Sequence, residues 1–150
     1  MFKKLNYSIT LFIILALFFG LHLVKAQTPV MAVCIKDICL EAEIADSAPK
    51  RTQGLMSRDG LSGNQAMFFI YQEDLRHGIW MKNMKFPLDI IWVSQDKRIV
   101  DIKADAAPCK TYCEVFIPRL KSRYVLEVNA GFVKANNIKI GDSVSFKLPQ

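Results

Sequence analysis

The spacing of apolar positions changes period several times along the chain, and each change predicts an element. Residues 9–24 are apolar apart from Thr10 and His22. Beyond them, Val30 to Leu40 reads as a hairpin about the pair Lys36-Asp37, and Leu40-Glu41-Ala42-Glu43-Ile44-Ala45 continues it at period two, the signature of a half-buried strand. Asp46 or Ser47 then offers a helix cap, with Pro49 tolerated in the first turn. This predicts a short helix running toward Met56, broken by the segment around Gly60 and carrying Arg51 and Leu55 on its face. Ala66–Tyr71, Gly78–Lys82, Leu88–Ser94 and Arg98–Lys103 predict successive antiparallel strands, the last two joined by a turn at Asp96-Lys97. Val115–Ile117 and Tyr124–Val128 add two more. Asn129 is placed to cap a short helix over Ala130–Asn137, and Gly141-Asp142 turns into a final strand, Ser143–Leu148. Many short strands with two short helices predict a mainly β fold, an antiparallel β-sandwich or rolled barrel with the helices as caps.

A length of 150 residues supports one domain with a proper core. Residues 1–26 read as a secretory signal: Lys3 and Lys4 form a positive start, the apolar run follows, and Val24-Lys25-Ala26 supplies small residues for cleavage. The mature chain, 27–150, would begin at Gln27 as a single mainly β domain that is periplasmic or secreted. An uncleaved anchor is the alternative, although the run falls short of the roughly 20 residues that span a bilayer comfortably. The whole chain carries 20 Lys plus Arg against 14 Asp plus Glu. Without Lys3, Lys4 and Lys25 the balance is 17 against 14, or +3, an ordinary surface that sets nucleic acid aside. All four cysteines lie beyond the signal, which in an oxidising compartment predicts two disulfides. A two-residue turn at Lys36-Asp37 sets Cys34 opposite Cys39 in a close, non-hydrogen-bonded pair. Cys109 and Cys113 are four apart in a loop and would bridge locally. Swapped connectivity stays open, as does a redox or metal pair, although neither spacing is C-x-x-C.

Candidate chemistry concentrates in Trp80-Met81-Lys82-Asn83-Met84-Lys85-Phe86-Pro87-Leu88-Asp89-Ile90-Ile91-Trp92. If 78–82 and 88–94 pair across Asn83–Pro87, period two puts Trp80, Lys82, Leu88, Ile90 and Trp92 on one face, and Ile79, Met81, Asp89, Ile91 and Val93 on the other. Asp89 is then an acid in an apolar strand and needs a partner. Arg51, Arg58, Lys82 and the amides around Asn83 are the candidates.

Arg51-Thr52-Gln53-Gly54-Leu55-Met56-Ser57-Arg58, Met67-Phe68-Phe69, Trp80-Met81-Lys82-Asn83, Pro87-Leu88-Asp89-Ile90-Ile91, Leu126-Glu127-Val128-Asn129-Ala130-Gly131 and Gly141-Asp142 together resemble, in order, the motifs of the domain of unknown function 192 family. The resemblance spans nearly all of the chain after residue 26, and Cys109 through Cys113 resembles a variant within that family. It implies a mainly β domain of sandwich type, often exported, with no established activity. Ala66 stands where the family usually has glycine, and Met84 where it usually has threonine. Polar motif residues beside apolar strands are the candidate ligand-binding set: Arg51, Arg58, Trp80, Lys82, Asn83, Asp89 and Glu127. The competing account makes them a structural network, and for Glu127 a strand with one wet face.

Four functions compete. A non-enzymatic binding module would hold a small anionic or carbohydrate ligand through Arg51, Arg58 and Lys82, with Trp80 stacking and Asn83 hydrogen-bonding. A hydrolase would use Asp89 or Glu127 as general base, yet the chain has no G-x-S-x-G, H-E-x-x-H or Gly-rich phosphate loop, and no cofactor is implied. Cu(I) binding would draw on Met81, Met84, His77, Met56 and Met67. An envelope protein that binds another protein through a strand edge or aromatic patch is the fourth.

Overall fold

The computed structural model describes residues 29–148. The expected signal and its cleavage point lie outside the described residues. The chain runs β1 (Val30–Ile35), β2 (Ile38–Ala45), α1 (Ala48–Gln53), β3 (Gln65–Leu75), β4 (Ile79–Trp80), β5 (Leu88–Val93), β6 (Ile99–Ala106), β7 (Val115–Phe116), β8 (Ser122–Asn129), α2 (Phe132–Ala135) and β9 (Val144–Phe146). The fold is mainly β, as the strand spacing implies. Seven strands form one sheet in the order β6-β5-β8-β3-β2-β1-β9, and β4 pairs with β7 in a second, small sheet.

The large sheet curls until its two edges meet. Arg98 and Ser143 form a bridge, the Ile99 amide donates to the Asp142 carbonyl at 3.0 Å, and the Val144 amide donates to the Lys97 carbonyl at 2.9 Å. Within the curl lie Val33, Ile35, Phe68, Ile91, Val93, Ile99, Leu126 and Phe146, drawn from strands all around the sheet. A second apolar layer, on the outer face, joins Leu55, Met67, Phe69, Ile79, Met81, Met84, Leu88, Ile90 and Trp92. The sheet is therefore covered on both sides, and all six residues of β5 are buried. The Trp92 indole N–H, within this outer layer, donates to the His77 carbonyl at 2.7 Å, which satisfies its one polar atom.

Two strand pairings and a helix cap differ from the sequence-based expectation. Strand β2 runs parallel to β3, because α1 and the loop after it carry the chain back to the start of the sheet; the other paired strands are antiparallel. Residues 79–80 do not form a hairpin with 88–93: β5 is held by β6 and β8 on its two edges. The link between them instead drops Met81 and Met84 onto the outer layer, so it crosses the sheet face and cannot run along an edge. Asn129 does not cap α2. Its side-chain amide donates to the carbonyls of Leu61 and Ser62, and Gly131, at φ 87, starts the helix. At α1, Ser47 is the N-cap residue but makes no side-chain cap bond, and Asp46 pairs with Lys50 at 2.9 Å.

Both expected disulfides are present, Cys34–Cys39 across the hairpin with Cα atoms 4.0 Å apart and Cys109–Cys113 within its loop. No described cysteine is free, and the connectivity is the local one, not the swapped one. Among the described residues no helix is long and apolar enough to cross a membrane.

Candidate functional site

The site is built on β8. Period two sends Leu126 and Val128 into the curl and Val125 and Glu127 to the outer face. That face is not wet. The segment 51–56 and the residues from Ile79 to Met84 lie over it, leaving Glu127 only 5% exposed. Glu127 opens on a pocket of about 80 Å³ whose walls include Gly54, Met56, Phe69, Tyr71, Trp80 and Met84. Its carboxyl makes no hydrogen bond or ion pair among the described residues. Burial pushes its pKa up to about 8, since leaving water penalises the charged form.

Arg51 and Tyr71 stand beside it. One guanidinium nitrogen, Nη1, donates to the carbonyls of Asp46 and Ile70 at 2.8 and 2.9 Å, and the group lies 5.0 Å from the Tyr71 ring centre. Burial raises the Tyr71 phenol to about 12, with Arg51 opposing the rise and Glu127 adding to it. The Tyr71 ring also stacks on His77 at 3.5 Å between centroids. Gly54 closes the turn after α1 at φ +48, a conformation that side chains with a Cβ rarely adopt.

The seven candidates divide. Arg51, Trp80 and Glu127 share the pocket, with Trp80 43% exposed at its edge. Lys82 and Asn83 border it without lining it. The Lys82 ammonium sits 5.1 Å from the Trp80 ring centre. Asn83 acts through its backbone: at φ 57 its amide donates to the Cys109 carbonyl and its carbonyl accepts from the Ser57 amide, each at 3.0 Å, which closes the rim. Arg58 is elsewhere, held by Glu43 through two hydrogen bonds. Asp89 is on the opposite face of the sheet, where its two oxygens accept from the Asp105 and Val133 amides at 2.8 Å each. Its partners are backbone N–H groups and none of the expected cations. Because Asp89 and Glu127 face opposite sides, they cannot act as a carboxylate pair.

Sequence reasoning missed Tyr71, Phe69 and Gly54 as wall residues. Phe69 and Tyr71 continue the period-two row that Met67 begins, so the signal was available once the outer face was known to be covered. The methionines disperse: Met56 and Met84 line the pocket, Met67 and Met81 sit in the apolar layer, and the His77 ring is taken by Tyr71 and the Glu73 carbonyl. Among the described residues no three His, Cys, Asp or Glu side chains gather as a metal site.

A curled seven-stranded sheet with a small second sheet, and the Glu127 carboxyl at the floor of a recess in the outer layer, define a mainly β domain with a recessed candidate site. The chain belongs to the DUF192 family, described as "Uncharacterized ACR", whose model matches residues 31–146. It is 28% identical over 110 residues to a UPF0127 protein of Thermococcus gammatolerans, covering 72% of this chain and 67% of that one. It is 29% identical over 111 residues to a UPF0127 protein of Pyrococcus abyssi, covering 71% and 86%. Among solved structures, a protein of unknown function from Novosphingobium aromaticivorans is similar at TM-score 0.70 and 30% identity, over 83% of this chain and 89% of that one. A chain from Sinorhizobium meliloti, described as a proposed transcription regulator, is similar at TM-score 0.73 and 29% identity, over 81% and 97%. The pocket draws its walls from four of the stretches that carry the family resemblance: 51–58, 67–69, 80–83 and 126–131.

Proposed function

We propose that the protein is an exported, non-enzymatic binding module whose site is the pocket over Glu127. The observation that carries this reading is a buried carboxyl, unpartnered among the described residues, that opens on an aromatic-walled recess. Leaving a buried polar group unsatisfied costs about 1–3 kcal/mol, and a recess that retains one has a place for a ligand to complete it. Trp80 offers a stacking face at the mouth and Glu127 a hydrogen-bonding floor, which suits a small carbohydrate-like ligand better than an anion. The cations an anion would need do not converge, since Arg58 is paired with Glu43 and Lys82 lies outside the walls. Export rests on the leader-like residues 1–26, and the two disulfides fit a periplasmic or secreted setting. Titrating neutral sugars, amino sugars and carboxylates while following Trp80 fluorescence, with Trp80→Phe as the reference, tests the site. Quenching or shift by at least one class is expected. A response to none of them, identical in Trp80→Phe, would sink the reading.

A hydrolase acting through Glu127 alone is the second reading. The raised pKa favours it, because an acid poised near neutrality is what general acid–base chemistry uses. Turnover of a glycoside panel that vanishes in Glu127→Gln would move the assignment to this reading.

A further inference from the structure

Resting on the pocket reading, we propose that the ligand group received by Glu127 is an ammonium, as carried by a primary amine or an amino sugar. Four observations converge on it. Glu127 is 5% exposed and lacks any donor among the described residues, so the complement it lacks is a hydrogen-bond donor. None of the nearby described cations bonds to Glu127: Arg58 is held by Glu43, Lys82 lies over the Trp80 ring outside the walls, and Arg51, which shares the pocket wall, gives its Nη1 to two carbonyls. Among the described residues no ion pair links Arg51 to Glu127, which leaves the carboxyl open to a donor carried by a ligand. The walls include Phe69, Tyr71, Trp80 and two thioethers, Met56 and Met84, and the electron-rich ring faces attract cations. The volume, about 80 Å³, admits a head group while leaving the rest of the ligand at Trp80.

On binding, the neutral carboxyl of Glu127 loses its proton to solvent, the carboxylate that forms accepts from the ammonium, and the ammonium keeps all its hydrogens. One proton is released per ligand bound, and no bond other than the carboxyl O–H breaks. The charged and titratable groups around Glu127 are few. Arg51 and Tyr71 flank it from α1 and β3. Along the sheet, Met67 separates it from Glu43 with its partner Arg58, and Ile90 separates it from Lys103. His77 lies behind Tyr71, and Lys82 lies over Trp80. Phe69, Ile79 and Met84 contribute no charge.

The test uses three probes that share a chain and differ in head group: butylammonium, 1-butanol and butyrate. Each is titrated into the protein while the Trp80 indole and Gly54 amide NMR signals are followed, with the Trp92 indole, bonded to His77, as the internal reference. Butylammonium is expected to move both signals, with an affinity that rises about tenfold per pH unit below the Glu127 titration, as one-proton linkage requires. Glu127→Gln should lose both the response to butylammonium and its pH dependence, while His77→Gln should keep them. Equal binding of butanol with no pH dependence, or preferred binding of butyrate, would overturn the ammonium assignment and leave the pocket reading standing. If none of the three moves Trp80 or Gly54, the ammonium assignment is overturned, and the sugar titrations decide the pocket reading separately.

Discussion

Asp89 and Glu127 are both buried acids, and they differ in what meets their oxygens. Asp89 accepts two amide hydrogens, one from the end of β6 and one from the first turn of α2, so it ties two elements to β5. Asp89→Ala should cost about 2–3 kcal/mol, because charged acceptors contribute more per hydrogen bond than neutral ones. Urea unfolding measures the loss, and faster hydrogen exchange at Asp105 and Val133 would locate it; Asp89→Asn should recover part. Glu127 has no such partners, and its raised pKa makes stability depend on pH. The unfolded carboxyl titrates near 4.5 and the folded one near 8. Stability from the neutral form is therefore complete below the unfolded value and is lost as pH rises through the folded one. The slope between them is about 1.4 kcal/mol per pH unit. Wild type and Glu127→Gln should run together in acid and diverge toward pH 8, with the variant the more stable; parallel curves would refute the assignment. Asp89 was legible as the odd residue in its strand, but its partners are distant in sequence and were not. Glu127 was among the candidates, and the competing account of a wet strand face fails because alternation in a strand covered on both sides looks like alternation in one with a wet face.

The 109–113 disulfide acts on the site through its neighbours. The Cys109 carbonyl accepts from the Asn83 amide, the Cys109 amide donates to the Met81 carbonyl, and Asn83 in turn holds Ser57. The staple therefore fixes the link that carries Met84 and the rim beside Trp80. Replacing Cys109 and Cys113 by serine should cost about 2 kcal/mol from the short loop it closes. It should also speed exchange of the Asn83 amide and weaken pocket ligands. The same change at Cys34 and Cys39 should cost a similar amount and leave the pocket unaltered, and titrating both variants with butylammonium separates the two effects. The first hairpin and its cross-strand bridge were legible because turn and alternation are local signals. Pairing partners were not: a two-residue strand such as β4 takes its neighbour from whatever the fold brings near, here β7, and the parallel β2–β3 pair depends on where α1 carries the chain.

At the scale of the molecule, the mainly β class followed from many short strands between turns, whereas the meeting of the sheet's edges had no local signature. Phe146 on β9 shows what that meeting protects. It packs against Phe68 and Tyr124 with ring centres 4.7 and 4.8 Å away, and Lys97 covers it at 4.6 Å. Phe146→Ala should destabilise by about 3–5 kcal/mol in thermal or urea unfolding, the range for emptying a buried aromatic site. The position of β9 has a further consequence, for the order in which the structure can assemble. Its partner is β1, with Val33 opposite Phe146, so the first of the described strands waits for the last of them. Such long-range pairing makes folding slow, on the order of milliseconds to seconds. Until β9 arrives a folding chain keeps an open β1 edge, and during that interval the edge is free to pair with other chains.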